Sequence, residues 1–348
     1  MKIKLSHTFG EIVSIDNLLE AWKEFLRGKR SKKDVKGFQF HLMDNILSLN
    51  HDLSHHTYKH GGYQEFNISD PKPRIIHKAN VRDRLLHHAV YRILYLFFEE
   101  KFVSDSFSCR DNKGTHRAIK RFEEFYRKAS KNKTRTCWVL KCDIKKFFHS
   151  INQQVLLEIL KEYIPDRDIV NLLREIITSF HYTKEGFGLP LGNLTSQLFA
   201  NVYMNEFDQF VKHKLKIKYY IRYADDFVIL SEDKNYLKEK IPLIGDFLQN
   251  RLSLTLHPDK IYIKTLYSGV DFLGWVNFKH YKTIRNTTKK RIFKKLKENS
   301  NSKTLNSYIG ILKHGNTKKV KNMVLKLYSQ NKPSKFVFVF LFVIMNHH

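Results

Sequence analysis

Two apolar, β-prone runs at residues 219–223 and 227–230 flank an Ala-Asp-Asp step. Aspartate is disfavoured within strands, so the pattern predicts a hairpin with Asp225 and Asp226 in its turn. Upstream, a strand-like run from residue 137 ends at Asp143 and gives way to a helical pattern. Ser150 and Gln153 have capping-box spacing and open a helix with Val155, Leu156, Ile159, Leu160 and Tyr163 on its buried stripe; a second helix spans about 166–180. A loop punctuated by Gly and Pro at 186–192 then leads into a helix with Phe199, Tyr203, Phe207, Phe210 and Val211 on its core face.

The flanks follow the same logic. Leu18, Leu19, Trp22 and Phe25 recur at helical spacing, followed by a basic loop at 27–33. Two strand-like runs within 63–77, split by Pro71 and Pro73, predict a long hairpin that carries Lys72 and Arg74. Leu85, Leu86, Val90 and Leu94 mark a helix over 83–98. Beyond the acidic hairpin come an extended segment at 254–263 bearing Lys260, a short apolar hairpin at 271–278, and basic amphipathic helices at 289–297 and 307–327. The apolar run 336–345 alternates Phe and Val like a strand, and is about half the ~20 residues a spanning helix needs.

Charge changes the picture more than composition does. The 348 residues are 42% hydrophobic and 14% aromatic, enough for a sizeable core, but 62 Lys and Arg against 34 Asp and Glu leave a net charge of +28. That excess is spread along the chain, which points to nucleic acid as partner first and an anionic membrane second; the aromatic content favours nucleic acid. Three cysteines (Cys109, Cys137 and Cys142) are too few and too irregular for a disulfide framework or a zinc module. With no signal peptide at the N-terminus, a reducing cytoplasm is expected. His51, His55, His56 and His60 lack an acid or cysteine to complete a ligand set and are expected at the surface or facing RNA.

Two adjacent carboxylates repel each other, and a bound cation makes the arrangement tolerable, provided a third acid helps to hold it. Asp143, at a strand end, is that third acid. Three carboxylates so placed suit two Mg2+ ions about 4 Å apart, the arrangement that activates a hydroxyl and stabilises a leaving pyrophosphate.

Tyr223, Ala224, Asp225 and Asp226 resemble the catalytic box of reverse transcriptases, and Asp143, Ile144, Lys145, Lys146, Phe147 and Phe148 resemble the strand end that carries the family's first acid. The resemblance covers about residues 60–330. It implies an α+β right-hand polymerase fold: a basic helical extension (1–60), fingers (61–137), a palm of antiparallel sheet packed on helices (138–279), a helical thumb (280–335) and the apolar segment 336–348. It further implies that Asp143, Asp225 and Asp226, with the Ile144 backbone, hold two Mg2+ ions, and that Lys260 approaches the pyrophosphate. Lys72, Arg74, Arg110, Phe148, Leu191, Gln197 and Tyr223 would surround the incoming dNTP. Template RNA and the RNA–DNA duplex are the implied partners; no membrane is. Taken alone, Lys72 and Arg74 also suit a charged edge strand, Lys260 a surface lysine, Phe148 a core ring, and Leu191 packing beside Pro190.

Within the family, most members have Gln at the first place and Pro at the last of the box that here runs from Leu191 to Gln197. With Lys113-Gly114-Thr115-His116 and Leu198-Phe199-Ala200-Asn201, this box is similar to that of the enzymes of diversity-generating retroelements. Those enzymes copy a template-repeat RNA with errors at adenines and work with a small basic accessory protein. Antiphage, group II intron-like and retron-like reverse transcriptases are the neighbouring readings, and a non-catalytic RNA-binding scaffold is the reading of another class.

Overall fold

The computed structural model describes residues 3–70, 72–298 and 301–330; the run 336–345 lies outside them. Helices α1 (Phe9–Val13), α2 (Ile15–Phe25), α3 (Lys33–Phe40) and α4 (Leu42–Ser54) precede a two-stranded antiparallel hairpin of β1 (Tyr63–Ile68) and β2 (Arg74–Ala79). The long α5 (Val81–Glu99), capped by the Asn80 side chain, packs on α2, and α6 (Thr115–Ala129) follows. Asn17 and Arg92 tie α2 to α5, since Arg92 Nε donates to Asn17 Oδ1 at 3.1 Å.

The expected palm sheet is four-stranded and wholly antiparallel, in the order β4 (Tyr220–Tyr223), β5 (Asp226–Ser231), β3 (Trp138–Asp143), β6 (Tyr262–Thr265). Alternation along its strands explains why they read as continuous apolar runs. Leu140, Cys142, Phe227 and Ile229 face a core shared with α2, α5 and four palm helices: α8 (Gln153–Tyr163), α9 (Arg167–Thr178), α10 (Leu194–Gln209) and α11 (Lys234–Leu252). Val139, Val228 and Leu230 face Phe122, Phe125 and Tyr126 of α6 on the other side. A sheet covered on both faces favours apolar residues on both, and the exceptions, Lys141 and Arg222, are each paired with an acid.

The helix after Asp143 begins later than the capping-box spacing suggests. Residues Phe147–Ser150 form one isolated turn, α7, and Ser150 Oγ bonds back to the carbonyls of Lys145 and Lys146. Asn152 caps α8 instead, accepting from the backbone N–H of Gln154 and Val155, a contribution of about 1 kcal/mol. The Gln153 side chain turns inward and donates to the carbonyls of Phe180 and Gly188.

A three-stranded antiparallel sheet, β7 (Val270–Phe272), β8 (Trp275–Asn277) and β9 (Lys282–Ile284), leads into α12 (Asn286–Glu298), α13 (Ser302–Leu312) and α14 (Lys318–Gln330), which bury Ile292, Leu296, Ile309 and Val324 together. Of the basic helical stretches expected here, 289–297 lies within α12, and 307–327 is divided between α13 and α14 by the turn at 313–317. Across the cleft, Arg291 Nε of α12 lies 3.6 Å from Asp70 Oδ1 at the tip of the β1–β2 hairpin.

The four histidines near the end of the N-terminal helices do not all face solvent. The His60 side chain is buried: its Nε2 is 3.2 Å from His87 Nε2 and its Nδ1 3.6 Å from Asp83, which also accepts from Tyr58 Oη. A buried polar group needs partners, and His60 finds them here.

Candidate active site

The register of the palm sheet places Asp143, the last residue of β3, directly opposite Asp226, the first residue of β5. Directly opposed side chains lie on one face of a sheet, so the two carboxylates face the same space. Asp225 precedes Asp226 in the β4–β5 turn, and its carbonyl accepts from Ile144 N–H at 3.3 Å. Only one member of the pair is therefore a turn residue; Asp226 belongs to the ladder, paired with Tyr223 as well as Asp143. The turn closes through Ala224 in the left-handed region (φ 55°), which is uncommon for a residue with a Cβ and requires support from its surroundings.

That support is Arg222, which the sequence reading did not single out. Its side chain is fully buried: Nη2 and Nε donate to Asp208 of α10 at 2.6 and 2.8 Å, and Nη1 donates to the Ala224 carbonyl at 3.1 Å. Tyr220 Oη, two residues earlier on the same face, also donates to Asp208. The period-two pairing of Tyr220 with Arg222 in an otherwise apolar strand is the signal that marks it.

Two of the three acids are engaged by lysines. Lys260 Nζ lies 2.7 Å from Asp143 Oδ1, and Lys141 Nζ 3.1 Å from Asp226 Oδ2. Lys260 reaches Asp143 from a short 3-10 turn (Pro258–Lys260) ahead of β6, where the sequence suggested extended chain. Asp226 Oδ1 is buried without a hydrogen-bond partner among the described residues. Burial pushes the Asp226 carboxyl up to about 6, with the charges of Asp143 and Asp225 adding to the effect and Lys141 opposing it. Asp225 is raised by burial and then by Asp143, against the pull of Lys260 and Arg74. Among the described residues no group of three or more His, Cys, Asp or Glu side chains is gathered closely enough to hold a metal ion. The chemistry of the acids nevertheless fits one. An orphaned carboxylate oxygen and two carboxyls raised by burial and by the charge of Asp143 are what a divalent cation relieves.

A groove of about 780 Å3 separates the β1–β2 hairpin from the palm, with Arg74, Leu191, Lys146 and His149 in its walls. The loop carrying Leu191 is sewn to β2: His77 N–H donates to the Leu191 carbonyl and Asn193 Nδ2 to the His77 carbonyl, both at 2.9 Å. Gly192 permits this approach, since it sits at φ +108° and a Cβ there would meet Ile76 Cγ2 at 2.6 Å.

The structure thus brings Arg74, Leu191 and the acids to one side of the hand. Lys72 is exposed beside the hairpin tip, and Gln197 is half-buried in the first turn of α10. Phe148 is half-buried against the main core, its carbonyl accepting from Leu189 N–H. Tyr223 packs beside α6, where its hydroxyl accepts from Thr115 Oγ1. Arg110, expected at the nucleotide, is instead turned into the protein: Nε and Nη2 bond Glu99 at 2.8 and 2.7 Å, and Nη1 bonds the carbonyls of Val103 and Ser106. With its donors so occupied and its side chain buried, Arg110 braces the segment after α5.

A right-hand fold whose palm presents acids from two adjacent strands defines a template-directed nucleotidyltransferase class. The chain belongs to the reverse transcriptase (RNA-dependent DNA polymerase) family, whose model matches residues 63–277. Among curated proteins it is similar to protein YkfC of Escherichia coli, 25% identical over 243 residues covering 59% of this chain and 63% of YkfC. It is also similar to the group II intron-encoded protein LtrA of Lactococcus lactis, 25% identical over 263 residues covering 56% of this chain and 42% of LtrA. The chain therefore spans less than two thirds of the length of these relatives. Its fold is similar to that of apo telomerase from Candida tropicalis, with TM-score 0.52 and 14% identity over 82% of this chain and 60% of that one. The telomerase of Candida albicans, solved with a fragment of telomeric RNA, matches at TM-score 0.52 and 12% identity over 82% of this chain and 56% of its own.

Proposed function

We propose that the chain is an RNA-directed DNA polymerase that extends a primer on template RNA. The observation that carries this reading is the register that sets Asp143 against Asp226, with Asp225 beside them. Asp143, Asp225, Asp226 and the Ile144 carbonyl would hold two Mg2+ ions, which supply activation of the primer hydroxyl and stabilisation of the leaving pyrophosphate. Arg74 and Lys72 bind the triphosphate, for which a guanidinium offers forked contacts. Lys260, on leaving Asp143, gives a proton and a counter-charge to the pyrophosphate. Phe148 stands against the 2′ position of the incoming sugar, and the basic thumb helices follow the duplex backbone. Asp225→Asn should abolish primer extension while leaving RNA affinity nearly unchanged; extension within a few-fold of the unmodified protein would remove the assignment.

The finer reading is a diversity-generating enzyme that makes adenine-mutagenised cDNA in a reducing cytoplasm, assisted by a small basic protein. It is supported by Leu191 and Gln197 at the ends of the box and by the position of Leu191 in the groove wall. The similarity to LtrA favours a second reading, a group II intron-like enzyme. Sequencing cDNA made by the purified protein separates them, since only the first predicts errors concentrated opposite template adenine.

A further inference from the structure

A second cavity, of about 440 Å3, lies where α6, the β8–β9 turn and the loop between α13 and α14 meet. The Leu273–Gly274 turn joins β7 to β8 at one end of their sheet, and the β8–β9 turn stands at the opposite end. The acids and the groove beneath the β1–β2 hairpin contribute nothing to its walls. Its size is that of a ligand site, roughly 300–1,000 Å3.

Three observations define what it would take. Its walls are basic: among the described residues Arg127 and Lys133 form no ion pair, and Lys279 donates to the Tyr267 hydroxyl at 2.5 Å. Lys282, the fourth cation, is neutralised by Glu123 at 2.6 Å. An exposed aromatic ring stands in its wall: Tyr281 is 49% exposed and stacks one face on Phe278 at 4.8 Å, while the Lys279 ammonium lies over the ring of neighbouring Tyr267. Cations interleaved with open aromatic faces suit single strands, whose bases are free to stack. The third observation is a buried acceptor. Asn277 is 3% exposed and its Nδ2 donates to the carbonyls of Val270 and Trp275, which fixes the amide orientation and leaves Oδ1 with no partner among the described residues. Leaving such a group unsatisfied costs about 1–3 kcal/mol, so a donor from outside is strongly favoured. A phosphate has none to offer at neutral pH; a base N–H does in RNA and DNA alike, and a ribose 2′-hydroxyl, which deoxyribose lacks, adds one that only RNA carries.

The site is also rigid. Asn316 N–H donates to the Lys282 carbonyl at 2.8 Å, and Gly315 sits so close that a Cβ would meet Trp275 at 2.3 Å. The cavity is therefore formed before anything enters it, which lowers the cost of binding.

We propose that this cavity binds single-stranded RNA, taking one unpaired ribonucleotide against Tyr281 and Asn277 while Arg127, Lys133 and Lys279 hold the flanking phosphates. It anchors RNA outside the catalytic cleft, and the proposal does not depend on the polymerase reading. The test uses the full chain and fluorescein-labelled U10 RNA, with dU10 DNA for comparison, at fixed salt. Arg127→Glu/Lys133→Glu should weaken U10 binding about tenfold or more and should erase the preference for RNA over dU10. Lys161→Glu/Lys238→Glu, which removes the same charge from exposed sites elsewhere, should bind within two-fold of the unmodified protein. Tyr281→Ala, an exposed change that leaves the fold intact, should weaken binding several-fold. A U10 strand carrying 4-thiouridine should crosslink to the segment around Tyr281, and extension of a pre-annealed primer–template should be unchanged in all three variants. Equal losses in both double-charge variants would reduce the effect to general electrostatics. Crosslinks confined to the cleft, or competition by uridine monophosphate as effective as by the strand, would likewise overturn the proposal.

Discussion

Lys260 and Asp143 come from opposite sides of the β3–β6 junction and meet at 2.7 Å, so the first acid of the site carries a mobile counter-charge before any substrate arrives. The Lys260 side chain is 45% exposed. The contact is therefore easily broken, as exposed ion pairs contribute little.

Lys260→Ala should slow nucleotide addition about 100-fold, the lower end of what a positioned acid supplies, with RNA affinity unchanged. Single-nucleotide incorporation under saturating dNTP measures it. A loss confined to KM would show that the lysine only binds.

Asp226 makes stability depend on pH in a direction opposite to that of an ordinary paired carboxylate. Its folded-state value of about 6 stands above the unfolded value. The stabilising contribution is full below about 4 and is lost as pH rises through about 6. Asp226→Asn should therefore stabilise the protein in EDTA at pH 8, by at most about 3 kcal/mol because Lys141 loses its partner, and the gain should shrink on acidification to pH 5. Denaturant unfolding at the two pH values decides it; a pH-independent difference would contradict the assignment.

Arg222→Ala should cost about 3–5 kcal/mol, since it leaves Asp208 buried and unpaired. The double change Arg222→Met/Asp208→Leu should recover much of that stability. Activity should not return with it, because the Ala224 carbonyl still lacks the donor that holds the turn bearing Asp225. Unfolding curves and primer extension on the same two proteins separate the roles.

Leu191→Gln should lower misincorporation opposite template adenine more than opposite the other bases. The added polar contact is worth about 1 kcal/mol, several-fold in discrimination. Sequencing cDNA from one template at matched nucleotide concentrations measures it; an unchanged adenine error rate in an active variant would remove Leu191 from fidelity.

The acidic hairpin was legible because Asp225 and Asp226 interrupt two apolar runs, and its partner Asp143 because it ends a third. The order of strands in the sheet was not, since β3 enters between two strands distant in sequence. Alternation placed Phe227 and Val228 on opposite faces, but nothing local said that both faces are covered. Two of the misread residues share one cause. Arg110 and His60 are polar types expected outside, and each is drawn inward by an acid on a neighbouring helix, Glu99 or Asp83, that only the tertiary structure brings within reach. Ser150 matched a capping pattern by spacing alone, and Asn152, two residues later, took the role with better geometry.

The contact between Asp70 and Arg291 brings the tip of the β1–β2 hairpin to α12, the first of the last three helices. Both side chains are a third or so exposed, so the pair contributes no more than about 1 kcal/mol, and the hairpin tip and the helix can part at little cost while each keeps its own fold.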